Sequence, residues 1–80
     1  MAQSIGIVGC GAIGQALMRA ADSGKLNVPI AGVTSRGEHR AHEFLGGLDS
    51  PPPYMDRQEL IANSDLLVET AGGHIVAELA

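Results

Sequence analysis

Gly9, Gly11 and Gly14, with Cys10, Ala12 and Ile13 between them, spell a G-x-G-x-x-G turn. Glycines at this spacing suit the capture of an anion on bare backbone, provided that a strand leads in and a helix leads out. Both conditions are predicted here. Ile5 to Val8 is a short apolar run of the kind that forms a buried parallel strand, and a helical pattern starts at Ala12. A helix N-terminus offers unpaired N–H groups and the positive end of the helix dipole, which together favour a phosphate group. In such a turn Gly9 permits the tight bend, Gly11 lets the backbone approach the phosphates, and Gly14 lets the helix pack closely on the strand. The alternative is a glycine-rich strand-to-helix turn with no ligand.

A second candidate lies at Val33-Thr34-Ser35-Arg36. Dinucleotide-binding folds that prefer NAD place a carboxylate about 20 residues beyond the glycine turn, where it accepts a hydrogen bond from the ribose 2′-hydroxyl. Here Ser35 holds that place. A serine hydroxyl donates to a 2′-phosphate and Arg36 adds a charge-assisted contact, so the pair favours NADP over NAD. The competing readings are an N-cap for Ser35, and a solvated or adenine-stacking side chain for Arg36. A third stretch, Glu69-Thr70-Ala71-Gly72-Gly73, ends an apolar strand where such folds open their ligand crevice, and Ala71 and Gly72 are the expected contacts. An ordinary Gly-Gly turn is the competing reading. Glu69, a carboxylate in a strand expected to be buried, is assigned a structural role.

The remaining chemically capable residues point nowhere in particular. His39 and His42 are three apart on a helical stretch with Arg40 and Glu43, without a third ligand, and read as a solvated face. His74 reads as an exposed helix-start residue. Cys10 is the one cysteine, so no internal disulfide or metal spacing arises, and a reducing, cytoplasmic setting is expected. Neither a nucleophile-base pair nor a paired-carboxylate site nor a metal cluster emerges, so no residue of the chain is assigned a catalytic role.

Positioning these residues requires alternating strands and helices, the pattern of parallel βαβ units. The expected strands are Ile5–Val8, Val28–Val33, a short piece at Pro53–Met55, and Asp65–Thr70. The first helix runs Ala12–Asp22 and ends at Gly24. The second begins at Ser35 or Arg36 with Ser35 and Glu38 as a capping box, presents Ala41, Phe44, Leu45 and Leu48 inward, and closes at Gly46-Gly47. A third helix opens at Asp56-x-x-Glu59, and the apolar segment Ile75–Ala80 reads as a fourth. The fold expected is therefore α/β, a Rossmann-type parallel sheet with helices on both faces, incomplete after its first four βα units. The 80 residues form one domain, and at that size folding buries only about 60% of the unfolded surface. Because the pattern stops before a second mononucleotide half, residues 1–80 are expected to be the N-terminal part of a dinucleotide-binding domain in a longer protein.

Composition narrows the partners. The chain is 45% apolar and 18% charged with a net charge of −4, and its few basic residues are scattered, which argues against a general nucleic-acid partner. No positive n-region or long apolar stretch follows Met1, so neither export nor a membrane role is expected.

Ile5-Gly6-Ile7-Val8-Gly9-Cys10-Gly11-Ala12-Ile13-Gly14, Val33-Thr34-Ser35-Arg36, and Glu59-Leu60-Ile61 leading to Ser64-Asp65-Leu66-Leu67-Val68-Glu69 together resemble the N-terminal domain of L-aspartate dehydrogenases. The resemblance covers nearly the whole chain. It departs at Ser35, where many relatives carry Asp before the Arg, and that departure bears on NAD against NADP. The resemblance implies NAD(P)-dependent oxidative deamination of L-aspartate to iminosuccinate, then oxaloacetate and ammonia, and a place in NAD biosynthesis. It also implies a second α+β domain that carries the substrate-binding and acid-base residues and forms a homodimer. Two-domain reductases of the homoserine dehydrogenase or dihydrodipicolinate reductase type share the opening turn, and a non-catalytic NADP-sensing module is the alternative from another class.

Overall fold

A computed structural model describes residues 4–70 and 76–79. The chain runs β1 (Ile5–Val8), α1 (Ala12–Asp22), β2 (Ile30–Thr34), α2 (Glu38–Leu45), α3 (Arg57–Asn63), β3 (Leu66–Glu69) and β4 (Val76–Leu79). The sheet order is β2-β1-β3-β4, with β2 and β3 both parallel to β1, and β4 antiparallel to β3.

β1 is central, and all four of its residues are buried, as expected of a parallel strand covered on both faces. Its alternate side chains feed two cores. Ile7 joins Met18 of α1, Val33 of β2 and Ala41 and Leu45 of α2 on one face. Val8 joins Leu67 of β3 and Leu60 of α3 on the other. Ile7, Met18, Val33 and Leu60 are fully buried, and each such side chain contributes about 1.5–3 kcal/mol of apolar transfer. Gly6 makes the second face possible, because a Cβ there would lie 2.7 Å from Leu60 Cγ and 2.4 Å from Ser64 Oγ. Three parallel strands with helices on both faces make this an incomplete Rossmann-type α/β fold.

Several boundaries differ from those read in the sequence. The second strand starts at Ile30 and not Val28, because Pro29 has no N–H to give the ladder and contributes only its carbonyl, which accepts from Ile5 N–H at 3.0 Å. The third stretch is one parallel bridge, Val33 to Tyr54, made by Val33 N–H to the Pro53 carbonyl and Met55 N–H to the Val33 carbonyl, both at 3.0 Å. The flanking prolines supply no further donors. The second helix starts at Glu38 behind an uncapped Gly37, and the expected capping box is absent: Ser35 Oγ donates instead to the Gly37 carbonyl at 3.2 Å. α3 does start as expected, with Asp56 Oδ1 accepting the Glu59 N–H at 2.8 Å.

The largest correction is at the end. Val76–Leu79, expected within a helix, is strand β4, pairing from Leu66 with Leu79 to Glu69 with Val76. A short apolar run carries no period that separates strand from helix, and the outer edge of β3 offers a row of backbone groups that a strand satisfies and a helix does not. The described residues therefore hold three helices where four were expected.

Candidate dinucleotide cleft

The carboxyl ends of β1, β2 and β3 open into a cleft of about 580 Å³. Gly9, Cys10, Gly11, Ala12 and Ile13 form one wall, Ser35 and Arg36 form the other, and Glu69 and Thr70 lie along it. The two expected site segments from β1 and β2 thus meet in one cavity. Ala71 and Gly72, and His74 beside them, lie outside the described residues.

The turn is built tightly. Gly9 has φ +113°, a region that a side chain at Cβ disfavours, and its N–H donates to the Thr34 carbonyl at 2.7 Å, which ties the turn to the end of β2. Thr70 ties it to β3. Its N–H and its hydroxyl both donate to the Val8 carbonyl, at 2.9 and 3.1 Å. Gly14 does not line the cleft; it sits beneath the turn, where a Cβ would lie 2.5 Å from Gly9 O and 3.0 Å from Thr70 Oγ1. That is the close helix-to-strand packing expected of the third glycine.

Gly11 is the opposite case. It is the N-cap of α1 and brings no side-chain acceptor to the first-turn amides, which remain as donors at the cleft wall. A Cβ at Gly11 would meet nothing within 4 Å, so the protein itself leaves that space open beside the amides. Gly11→Ala is therefore expected to cost no more than about 1 kcal/mol, a loss of a few degrees in melting temperature, while weakening dinucleotide binding more than about tenfold, because the methyl group occupies the phosphate's approach. Thermal melting and a calorimetric NADP titration on the same preparation check it; unchanged affinity would show that no phosphate seats on Gly11.

Cys10 points away from ligand chemistry. Only 9% exposed, its side chain joins the core of Ile7 and Met18. Burial pushes the thiol up from its ordinary value, against a smaller opposite pull from the Arg40 charge. It is protonated and weakly nucleophilic at neutral pH.

Charge distinguishes this cleft from the rest of the molecule. The whole chain carries −4, yet Arg36, Arg40 and Arg57 all line the cleft against one carboxylate, Glu69. Among the described residues the ion pairs are His39 with Glu43 at 2.9 Å and His42 with Glu38 at 3.3 Å, both on the exposed side of α2. The three arginines take no part in them. A concave site with this excess attracts anions.

Arg40, Arg57 and Tyr54 escaped the sequence reading. Arg40 stands four residues beyond Arg36, one turn into α2, and Arg57 opens α3; a search for basic residues at helix starts that follow strands would have found both. Tyr54 bridges Ser35, accepting its N–H at 3.3 Å and donating to its carbonyl at 2.8 Å.

Comparison with known proteins agrees with this geometry. The family described as homoserine dehydrogenase, NAD binding domain, matches residues 9–80. The L-aspartate dehydrogenase of Methanosarcina mazei is 38% identical over 73 residues, 90% of this chain and 27% of its own length. That of Methanocella arvoryzae is 37% identical over 76 residues, 95% of this chain and 28% of its own. The chain thus spans little more than a quarter of the length of these curated relatives. No solved structure gives a significant match. With its glycine turn seated between β1 and α1 and this match over nearly its whole length, the chain belongs to the homoserine dehydrogenase NAD-binding domain family and binds an NAD(P) cofactor.

Proposed function

We propose that this chain is the cofactor-binding segment of an NAD(P)-dependent L-aspartate dehydrogenase with a preference for NADP. The observation that carries the cofactor reading is the pairing of an open anion seat at Gly11 with three arginines in the same cleft. In this reading the first-turn amides of α1 hold the pyrophosphate, and Ala71 and Gly72 are the further contacts proposed from the sequence. Ser35 and Arg36 take the ribose 2′-phosphate, Ser35 as a hydrogen-bond donor and Arg36 through charge. Arg40 adds to the positive field there.

When bound, the dinucleotide supplies an acceptor for the hydride that leaves Cα of L-aspartate. The imine product, iminosuccinate, takes up water and gives oxaloacetate and ammonia. The acid-base and substrate-holding groups belong to a second domain in this proposal, in a dimeric protein, and the present residues bind and orient the cofactor. The substrate assignment rests on the L-aspartate dehydrogenases at 38% and 37% identity. Homoserine dehydrogenase is the second reading, favoured by the matching family's description.

The test is reduction of NADP and of NAD, side by side, by the full protein that carries this chain, with L-aspartate or L-homoserine as substrate. Turnover with L-aspartate, faster with NADP, is expected. Turnover with L-homoserine alone would replace the substrate assignment, and tight NADP binding without turnover on either would favour a sensing module.

A further inference from the structure

We infer that Tyr54 is a positioning residue that sets the cleft's choice between a ribose 2′-phosphate and a 2′-hydroxyl, by holding Ser35 at both of its backbone groups. The inference rests on the NADP reading of Ser35 and Arg36.

One phenolic oxygen serves two bonds to a single residue: it accepts the Ser35 N–H at 3.3 Å and donates to the Ser35 carbonyl at 2.8 Å. Both torsions that flank the Ser35 Cα are thereby restrained, and with them the directions open to its Oγ. The tyrosine is itself anchored. Its backbone is bridged to Val33 through Pro53 and Met55, and its ring lies 5.0 Å from the His42 ring on α2, tilted by 43°. It therefore joins the end of β2 to the helix that carries Arg40.

The rest of the loop has little else to hold it. Gly37 has no side-chain cap to offer α2, and the loop's own side-chain bond is the exposed one from Ser35 Oγ to the Gly37 carbonyl at 3.2 Å. That hydroxyl must turn away from Gly37 to meet a phosphate, which a half-buried serine with an exposed hydroxyl bond does by rotating about χ1 on a fixed backbone. Without the phenol oxygen the backbone is no longer fixed, and the ordering of Ser35 and Arg36 falls on the binding step. The glycine turn keeps ties that do not pass through Ser35, because the Thr70 N–H and hydroxyl both donate to the Val8 carbonyl. Contacts shared by both dinucleotides should persist, and the contact specific to the 2′-phosphate should weaken.

Tyr54→Phe removes the hydroxyl and keeps the ring. Calorimetric titration of the full protein that carries this chain with NADP and with NAD, alongside thermal melting, should show the NADP Kd rising about tenfold and the NAD Kd by less than about twofold, the loss expected for two hydrogen bonds to one loop residue. Equal weakening of both would reduce Tyr54 to a structural role, and no change would remove it from the site; either overturns the inference. A wild-type chain that binds NAD as tightly as NADP overturns the NADP reading itself, which separates the two failures. Should Tyr54→Phe not fold, wild type carries the test through the NMR signal of the Tyr54 ring in tyrosine-labelled protein. Adenosine 2′-monophosphate should shift that signal and adenosine 5′-monophosphate leave it in place; a signal indifferent to saturating 2′-monophosphate overturns the inference.

Discussion

Gly14→Ala should both destabilise the fold and abolish NAD(P) binding. The added Cβ meets Gly9 O at 2.5 Å, and that oxygen belongs to backbone already fixed by the Gly9 bond to Thr34. The neighbour in the second direction is Thr70 Oγ1 at 3.0 Å, which is bonded to the Val8 carbonyl. Neither neighbour is the free end of a flexible side chain, so α1 must move off the sheet. Overpacking of this kind costs about 3 kcal/mol. A domain of this length has a total stability of about 4–12 kcal/mol, so the loss takes a large share of it. Urea unfolding followed by circular dichroism should show the midpoint falling steeply, and NADP titration below that midpoint should show no binding. A variant as stable as wild type would mean that α1 does not need to sit so close to the turn. Paired with Gly11→Ala, which should cost binding and spare most of the stability, the two variants separate the mechanical roles of two glycines in one motif.

Ser35→Asp should reverse the cofactor preference. A carboxylate in place of the hydroxyl repels the dianionic 2′-phosphate, and at about 4 Å each unit of like charge costs about 1 kcal/mol in bulk water and about 4 kcal/mol at an effective dielectric constant of 20. The cleft is open to solvent but lined by protein, so an intermediate value applies. NADP should bind about a hundredfold more weakly, whereas NAD, whose ribose hydroxyl donates to a carboxylate, should bind as well as or better than in wild type. Arg36, Arg40 and Arg57 remain to partner the new charge, so folding should be little affected. Parallel Kd measurements with both cofactors decide it, and equal weakening of NAD and NADP would show that Ser35 does not lie at the ribose 2′ position.

What was legible in the sequence was what local chemistry determines. Ile5–Val8 announces itself by its short apolar run before the glycines, α1 by its glycine turn and helical spacing, and α3 by an Asp56 cap three residues before the amide it accepts. What escaped depends on partners far away in the chain. The Ser35-x-x-Glu38 spacing has the form of a capping box, yet a tyrosine 19 residues later takes the Ser35 backbone, and the helix is displaced to Glu38. Arg40 and Arg57 reach the cleft only because α2 and α3 start at the same end of the sheet. β4 is not legible as a strand because Val76–Leu79 is too short to show a period, and its state follows from the open edge of β3.

The strand order also bears on how the molecule comes into being during synthesis. β1, which leaves the ribosome before β2 and β3, is the centre of the sheet, so it emerges as a wholly apolar ribbon with both edges bare. β2 covers one of them. The other waits for β3, whose entry is fixed by bonds from the Asp65 and Leu66 amides to the Ser4 carbonyl and by the Ser4 N–H to the Asp65 carboxylate, a span of 61 residues. Closing a sheet over that separation is slow, and the exposed edge invites association with other chains in the interval. Because the turn at Gly9 is tied to Thr34 on one side and to Thr70 on the other, a ribosome-bound chain completes the cleft at the end of β1 only after Thr70 has emerged.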